Sequence, residues 1–215
     1  IDLCCFSEND AQNGAGTFSD NALLLQIEQC TFTNNSVLYS GGGIQINNCS
    51  NAIVRKCSFA DNTAGSTGGG IFCNNASATI AYGTFHNNTA LTGGGIHNNS
   101  GTFRIANCTF FDNIPNVSNQ GQSMYNGPTT ITSISNSVLW DNTSVLYNET
   151  GSQVTVAHSI VKDGYPGTGN LNLYPQFAAP GIPAGADSVF GTADDGLALT
   201  GCSPAINAGN NDSIP

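Results

Sequence analysis

A three-residue motif recurs along this chain at nearly constant spacing, and that regularity restricts the folds open to it. The motif is Cys or Gly, then Thr or Ser, then Phe, and successive copies begin 27, 26 and 25 residues apart. The copies begin at Cys30, Cys57, Gly83 and Cys108, with degenerate copies at Ser137 and Ser159. A period of about 20–50 residues is typical of solenoids, in which each repeat packs only against its neighbours.

Apolar residues recur in the same phase as the motif. Three residues before its first position stand Ile27, Val54, Ile80, Ile105, Ile134 and Val156. Apolar and polar residues alternate over short segments, which is the pattern of β-strands. Interior residues only three apart, such as Ile27 and Cys30, require a corner between them. These features predict an all-β protein, a right-handed parallel β-helix of about six coils over residues 1–162.

An asparagine follows three residues after the last motif position of the first five copies. These residues are Asn35, Asn62, Asn88, Asn113 and Asn142. Coils of a β-helix stack about 4.8 Å apart, so that like residues lie above one another. Stacked asparagine side chains can hydrogen-bond along such a column, and we predict a structural ladder of these five. Glycine triplets at 41–43, 68–70 and 93–95 are predicted to allow positive φ and close backbone approach at another corner.

The periodicity ends near Lys162. Residues 163–215 contain six of the eight prolines, which predicts a loop-rich C-terminal segment rather than further coils. The end of a solenoid exposes unpaired backbone groups, so we expect this segment to cap the last coil. The chain starts without Met and ends after a Gly-Asn-Asn-Asp loop, and we expect it to be a fragment of a longer, processed protein.

The charge balance excludes several function classes. The net charge is −10 with only four Lys and Arg residues, so the chain cannot offer the basic stripe that a nucleic acid requires. The same deficit disfavours attraction to anionic membrane surfaces. No run of 18 apolar residues occurs, and we expect no membrane insertion.

The repeat also resembles that of a known group. Residues 57–64 (CSFADNTA), followed by 68–71 (GGGI), resemble the repeat of bacterial right-handed β-helix surface proteins, which include polymorphic outer-membrane-type proteins and adhesins. Residues 170–177 (NLNLYPQF) and 202–210 (CSPAINAGN) are similar to the closing segment of such proteins that carry varied C-terminal anchors. The resemblance implies a β-helix fold and a secreted or cell-surface location.

Function follows from this fold in two alternative ways. The first is an extracellular structural or adhesive protein, acting as a stalk, an adhesin body or a filament subunit, with open ends that allow end-to-end self-association. The second is a module that binds or cleaves carbohydrate. A lyase needs a positioned base, but Lys56 and His158 lie four coils apart in one column. Hydrolysis needs two facing acids, whereas Asp61, Asp112 and Asp141 are predicted to form one column of turn residues. We expect no catalysis.

Two acidic regions are candidates for Ca²⁺. Asp112 and Asp141 would be neighbours on successive coils, where they could share a cation or act as solvated turn formers. Asp187, Asp194 and Asp195 lie in one short loop with glycine, and their oxygen ligands suit Ca²⁺ better. This loop is the preferred candidate metal site.

Surface modification and glycan contact are also suggested by the sequence. Ten Asn-x-Ser/Thr sequons occur, and those predicted to be exposed and available for glycans are Asn48, Asn75 and Asn98. Turn formation is the alternative explanation for these asparagines. An outward column of hydroxyl residues, Thr31, Ser58, Thr84 and Thr109, suggests sugar contact or ice binding. The next outward column does not repeat, which disfavours a flat ice-binding face.

The cysteines leave two alternatives open. Cys30 and Cys57 share an interior column at disulfide distance, yet Gly83 takes the next place and leaves Cys108 without a neighbour. Buried free thiols are therefore expected in this column. A disulfide among the N-terminal cysteines is the second possibility.

Overall fold

A computed structural model of the chain describes residues 1–117 and 120–213 as a parallel β-solenoid. Its strands form three parallel sheets; the earlier coils contribute strands to all three in turn, and the last coils, after β19 (Val138–Trp140), contribute to two of them. The predicted all-β parallel β-helix of about six coils is confirmed. A 3₁₀ turn at Asn211–Ser213 is short, and no helix in the described ranges is long and apolar enough to cross a bilayer.

The seven-stranded sheet carries the repeated motif. Its strands are, in order, β1 (Cys5–Ser7), β5 (Thr31–Thr33), β9 (Ser58–Ala60), β13 (Thr84–His86), β16 (Thr109–Phe111), β19 (Val138–Trp140) and β22 (Ile160–Val161). The five-stranded sheet contains β2 (Asp10–Ala11), β6 (Ser36–Val37), β10 (Thr63–Ala64), β14 (Thr89–Ala90) and β17 (Ile114–Pro115).

The ten-stranded sheet is the largest and forms the remaining side of each coil. Its strands are β3 (Thr17–Asp20), β4 (Leu25–Glu28), β7 (Ile44–Asn47), β8 (Ala52–Arg55), β11 (Ile71–Asn74), β12 (Ala76–Ala81), β15 (Ile96–Ala106), β18 (Met124–Ser135), β20 (Leu146–Asn148) and β21 (Gln153–Ala157). Two strands per coil are separate at first and merge into single long strands at β15 and β18. The break between the two strands is therefore lost in those coils.

The interior is filled by stacked like residues, because strands pair in register from coil to coil. The central residue of the motif sheet points inward, and the rings of Phe6, Phe32, Phe59, Phe85 and Phe110 form one stack. Successive ring centroids are 4.6–4.9 Å apart, and the ring planes are nearly parallel. Apolar side chains such as Ile27, Val54 and Ile80 complete the core around this stack.

A buried amide ladder lies at the corner after the motif. Asn35, Asn62 and Asn88 each donate from Nδ2 to the Oδ1 of the next ladder asparagine at 2.9 Å. Each Nδ2 also donates to a Phe carbonyl of the preceding coil, again at 2.9 Å. The ladder also has an earlier member that the sequence alone did not reveal, Asn9, which donates to Asn35.

The fifth ladder position belongs to Asp141 and not to Asn142, which corrects the prediction. Asn113 donates from its backbone N and its Nδ2 to Asp141 Oδ1, at 2.8 and 3.2 Å. Asn142 is exposed and donates to Asp112 instead. Leu139 pairs in register with Phe110. Asp141 follows Leu139 by two residues, whereas Asn113 follows Phe110 by three, so this corner is one residue shorter than the earlier ones.

Backbone conformation explains which residue types occupy the corners. The corner between Leu139 and Asp141 lacks one residue that the earlier corners have. In those earlier corners this residue takes a positive φ between 50° and 57°, as at Asn34, Asp61, Asn87 and Asp112. Asn and Asp tolerate this left-handed region better than other non-glycine residues. In the glycine triplets only the first residue has positive φ, for example Gly68 at 65°. The other two glycines are required by close packing against neighbouring coils.

The C-terminal segment does more than cap the helix end. Residues 163–172 lie over the last coil, where Leu171 bridges Ile160 and Thr168 accepts a hydrogen bond from the backbone of His158. Residues 173–213, called the tail below, lie along the outer face of the seven-stranded sheet, where Phe177 and Leu197 pack on Val138 and Ile160. The prediction that the whole 163–215 segment covers the coil end is corrected accordingly, and residues 214 and 215 lie outside the described part.

Candidate functional site

A groove runs along the outer face of the seven-stranded sheet, parallel to the axis of the helix. Its floor is the outward column of that sheet, Thr31, Ser58, Thr84, Thr109, Val138 and Ile160. One wall is the corner column that precedes the sheet, Gln29, Lys56, Tyr82, Asn107, Asn136 and His158, all with φ between 50° and 55°. The tail forms the other wall. Three adjoining cavities follow this path.

The first cavity has a volume of about 570 Å³ and lies at the N-terminal half of the groove. Hydroxyl groups of Thr31, Ser58 and Thr84 are on its floor, and Lys56 and Tyr82 stand in its wall. The ring of Tyr82 is 41% exposed and therefore available to a ligand. Hydroxyl donors beside an aromatic ring and one cation are groups that hydrogen-bond and stack against sugars.

The second cavity, of about 230 Å³, connects the first to the third. It shares Thr84 and Phe190 with the first cavity and Thr109 with the third. Its remaining lining comes mostly from the tail, including Asp195 and Leu197. The three cavities therefore lie next to one another along the sheet, and the tail packs on the sheet through Phe177 and Leu197.

The third cavity, of about 290 Å³, is where the groove ends. Aliphatic side chains such as Val138 and Leu199 line it together with the polar side chains of Asn107 and His158. The tail is held over it by Asn136, which donates from Nδ2 to the Asn210 carbonyl at 2.9 Å and accepts from the Asn210 backbone N–H at 2.8 Å.

Asn107 carries an unused donor at this closed end. Its Nδ2 is buried and has no hydrogen-bond partner among the described residues. Buried polar groups are nearly always paired, and an unpaired one therefore calls for an explanation such as a bound water or ligand. Asn107 also lines the third cavity, but its Nδ2 atom is enclosed by the protein.

The groove keeps the base candidates Lys56 and His158 far apart. Among the described residues that line its three cavities, Asp195 is the one carboxylate. Lys56 and His158 lie at opposite ends, four coil steps or about 19 Å apart. Arg55 and Arg104 lie in the ten-stranded sheet, outside the lining of these cavities. The predicted base candidates are thus not brought together.

His86 marks the contact between the tail and the sheet. Its ring lies 6.0 Å from that of Phe111 and 6.2 Å from that of Phe190. Burial lowers the pKa of His86, and the nearby carboxylates of Asp61 and Asp112 oppose that shift. Burial therefore favours the neutral form of this side chain where it meets Phe190 of the tail.

Asp141 is the most perturbed carboxyl group of the interior. Burial raises its pKa to about 6, against the opposing effect of hydrogen bonds from Ser123 and Asn113. It is fully buried, whereas Asp112 lies on the surface corner, so these two do not form the shared cation site considered above. The predicted surface column of Asp61, Asp112 and Asp141 is wrong for the same reason.

The acidic loop of the tail uses its carboxylates internally. Asp194 accepts from the backbone N–H of Ala186 at 2.7 Å, and Asp195 accepts from that of Gly191 at 2.8 Å. Asp187 accepts from the backbone N–H of Val189 at 2.8 Å. Hydrogen bonds from the Thr192 hydroxyl and from the backbone N–H of Ala186 lower the pKa of Asp194. The described ranges contain no group of three acidic, His or Cys side chains placed to hold a metal ion, and Ca²⁺ binding here stays a prediction.

The three sequons selected for glycosylation differ in accessibility. Asn48 and Asn75 are exposed at corners, and Asn75 Nδ2 donates to Asn48 Oδ1 at 2.9 Å. Asn98 is fully buried and donates to Asn126 at 3.3 Å. It lies inside strand β15 in register with Cys73, and not in a turn. The prediction that Asn98 is exposed is therefore wrong, and the folded chain shields it from modification.

Each of the eight cysteines, all within the described residues, is a free thiol. Burial raises the pKa of Cys57 and that of Cys108 to about 12. Thiols with such pKa values are unreactive at neutral pH, since the thiolate is the nucleophile. Cys30, which lies in the same column as Cys57, is likewise buried, whereas Cys4, Cys5 and Cys202 are exposed.

Little in the sequence indicated the tail side of the groove. Phe190, Leu197 and Leu199 come from a region without periodicity, so no pattern linked them to the sheet they face.

A second unforeseen feature is an outward ring column on the ten-stranded sheet, in which His97 stacks on Tyr125 at 4.4 Å and Tyr125 on Tyr147 at 5.0 Å. The available signal was that each ring directly follows an apolar residue of one register column, which contains Ile96, Met124 and Leu146.

Comparison with known proteins agrees with the architecture. Residues 3–171 match the protein family described as right handed beta helix region. No curated protein and no solved structure matches the chain. The match covers most of the chain and agrees with the β-helix part of the resemblance noted in the sequence. The chain therefore belongs to the right-handed β-helix family.

Proposed function

We propose that this protein is a rigid, non-catalytic adhesive β-helix that acts outside the cell and binds a linear glycan along its groove. The observation that carries the proposal is the continuous groove over the hydroxyl column Thr31, Ser58 and Thr84. The right-handed β-helix family includes non-enzymes as well as polysaccharide-cleaving enzymes. The contents of the groove favour binding over cleavage.

Glycan binding suits the chemistry of this groove. Its floor offers one hydroxyl group per coil at a spacing of about 4.8 Å, so hydrogen bonds can repeat along an extended polymer. Tyr82 and Phe190 add aromatic surface on both walls of the first cavity. A single carboxylate, Asp195, does not supply the acid pair that hydrolysis requires.

Adhesion also requires a stiff body, and the interior supplies one. The ring stack through Phe32, Phe59 and Phe85 and the amide ladder through Asn62 and Asn88 cross every coil interface in the middle of the helix. Parallel backbone pairing accompanies them in all three sheets. Force applied along the axis is therefore shared by many short-range contacts. The low charge content and the exposed sequons at Asn48 and Asn75 support an extracellular location.

The test compares a groove variant with a variant of another face. Tyr82→Asn removes the ring but keeps a residue type that accepts the φ of 55°. Tyr39→Asn removes a comparably exposed ring, 51% accessible, far from the groove lining. Binding to a panel of immobilised neutral and acidic polysaccharides is measured by biolayer interferometry. Loss of a ring contact of about 1 kcal/mol predicts about fivefold weaker binding for Tyr82→Asn only.

The same samples are assayed for newly released sugar ends. We expect none, and release that depends on the groove would replace the adhesive proposal by an enzymatic one. Failure of every polysaccharide to bind, or equal weakening by Tyr39→Asn, would refute glycan binding in the groove.

Pairing of two copies end to end is the second candidate, and the strand edges of the first coil favour it. The outer edges of β1, β2 and β3 face no further strand among the described residues, whereas residues 1–3 hydrogen-bond along the edge of β4. Residues 163–172 cover the opposite end, so copies could pair only through their N-terminal ends. Negative-stain imaging with sizing tests this directly, since such pairing predicts dimers of double length and no longer filaments.

A further inference from the structure

We propose that the third cavity binds the terminal, uncharged sugar unit of the glycan, so that the protein recognises chain ends rather than chain interiors. This inference rests on the proposed function and specifies its ligand. The inference goes beyond the proposed function because a groove that was open at both ends would accept any stretch of a polymer.

Closure of the groove is built from two separate segments of the chain. Residues around Gly169 and Leu171 close it at the last coil, and the tail from Ala205 to Asn211 covers it from the side. The paired hydrogen bonds between Asn136 and Asn210 hold that cover in place. A polymer lying over Thr84 and Thr109 would therefore have to end inside the cavity.

The cavity matches one sugar ring in size. Its volume of about 290 Å³ is at the lower limit of small-molecule sites, which are commonly about 300–1,000 Å³. The wider first cavity, of about 570 Å³, has room for more than one unit. Along the sheet, a multi-unit section is thus followed by a smaller second cavity of about 230 Å³ and then by a single-unit end.

The lining selects against charge. Among the described residues that line the third cavity, none is Lys, Arg, Asp or Glu. A uronate or phosphate would lose its hydration there without a fixed counter-charge, which is costly. A neutral sugar instead presents hydroxyl groups to Asn107, Thr109 and His158, and its ring carbons to Val138 and Ile160. Asn107 Nδ2 has no partner among the described residues, and a ligand would satisfy it once the side chain turns toward the cavity.

The experiment uses saturation-transfer NMR on the whole chain with single monosaccharides as probes. The probes are glucose, galactose, mannose, N-acetylglucosamine and glucuronate. Asn107→Gly removes the free donor while accepting the φ of 54°, and Ala208→Leu fills the cavity from the tail side. Asn87→Gly is the matched control, because Asn87 has a φ of 50° and does not line the groove. Circular dichroism verifies that each variant is folded.

We expect saturation transfer to at least one neutral sugar with the native chain and with Asn87→Gly. Loss of one hydrogen bond predicts about fivefold weaker binding for Asn107→Gly, and Ala208→Leu should abolish it. No transfer to glucuronate is expected. Equal binding by both cavity variants and the native chain, or transfer to glucuronate alone, would overturn the proposal.

The proposed function and this inference fail differently. Polysaccharide binding that depends on Tyr82, without binding of any monosaccharide, overturns chain-end recognition and leaves groove binding intact. Absence of binding by both polysaccharides and monosaccharides overturns both.

Discussion

Asp141 ends a column of buried amides with a carboxyl group, and this difference of one atom makes its coil sensitive to pH. The preceding asparagines donate along the ladder, and Asp141 accepts from Asn113 and from the Ser123 hydroxyl. An ionised carboxylate without a fixed cation is unfavourable in such a position. Burial accordingly raises the pKa of Asp141 to about 6 from an ordinary value of 3.8.

The stability that Asp141 contributes to the fold falls as the pH rises. Because the folded-state pKa is raised, protonated Asp141 contributes stability that is fully present below about pH 4 and is lost as pH rises through 6. Asp141→Asn removes that loss and restores the ladder residue of the other coils. We therefore expect the variant to exceed the native chain in free energy of unfolding by about 1–3 kcal/mol at pH 8, with the difference shrinking toward pH 4.

Urea unfolding at several pH values measures this difference. Asp61→Asn serves as the control, since it removes one carboxylate from an exposed corner. A stability gain for Asp141→Asn that is the same at pH 4 and pH 8 would contradict the assignment of a buried, proton-linked carboxyl.

At the scale of the element, the glycine corners determine how closely coils approach. A Cβ on Gly69 would lie 2.5 Å from the Gly94 carbonyl oxygen and 2.6 Å from the Thr89 nitrogen, both backbone atoms. We expect Gly69→Ala to lower the free energy of unfolding by about 1–3 kcal/mol through overpacking. Gly181→Ala is the matched control, because no atom lies within 4 Å of its added Cβ. Thermal unfolding of both variants is the measurement, and equal effects would contradict close packing as the cause.

The tail is attached as an element mainly through one aromatic side chain. Phe177 is 5% exposed and meets Phe111 edge to face at 5.3 Å. We expect Phe177→Ala to release the tail, so that limited proteolysis cleaves within residues 173–213 while the coils stay intact. Leu173→Ala, at a side chain 54% exposed, should leave the cleavage rate unchanged. Simultaneous cleavage of the coils would show instead that the tail is needed for their folding.

Elements were predictable from the sequence where each coil had the same length. The motif and its apolar columns gave the register of Phe32 on Phe59 because equal spacing preserves stacking. Counting three residues on from the end of the motif predicted Asn142 as the ladder residue of the fifth copy. The corner in that coil is one residue shorter, so Asp141 holds the position instead. Asn98 was misplaced because a sequon was taken as a turn, although the alternation after the glycine triplet places it inward beside Cys73.

The groove could be predicted only in part, because only its floor belongs to the periodic coils. Its floor follows from the period-two alternation that directs Thr31 and Ser58 outward. Its second wall depends on contacts between the tail and coils far away in sequence, such as Phe190 with His86. No periodicity links such segments, so only the three-dimensional structure could reveal the closed cavity.

At the scale of the whole molecule, the coils form a nearly one-dimensional array in which each interface repeats the last. Backbone pairing, the ring stack and the ladder all connect a coil only to its two neighbours. Stability in such arrays is approximately a sum of repeat and interface contributions. Length should therefore be adjustable by whole coils, but not by fractions of one.

Duplication of one coil tests this property directly. A second copy of residues 30–56 inserted after Lys56 adds 27 residues, one full repeat, upstream of the sheet region that the tail contacts. We expect the product to fold, to lengthen by about 4.8 Å along its axis, and to unfold at a temperature no lower than that of the native chain. Insertion of residues 30–42 alone is the control, because a partial repeat misaligns every sheet and should unfold at a much lower temperature. Small-angle scattering gives the length and calorimetry the unfolding temperature; equal tolerance of both insertions would mean that register between coils does not hold this fold together.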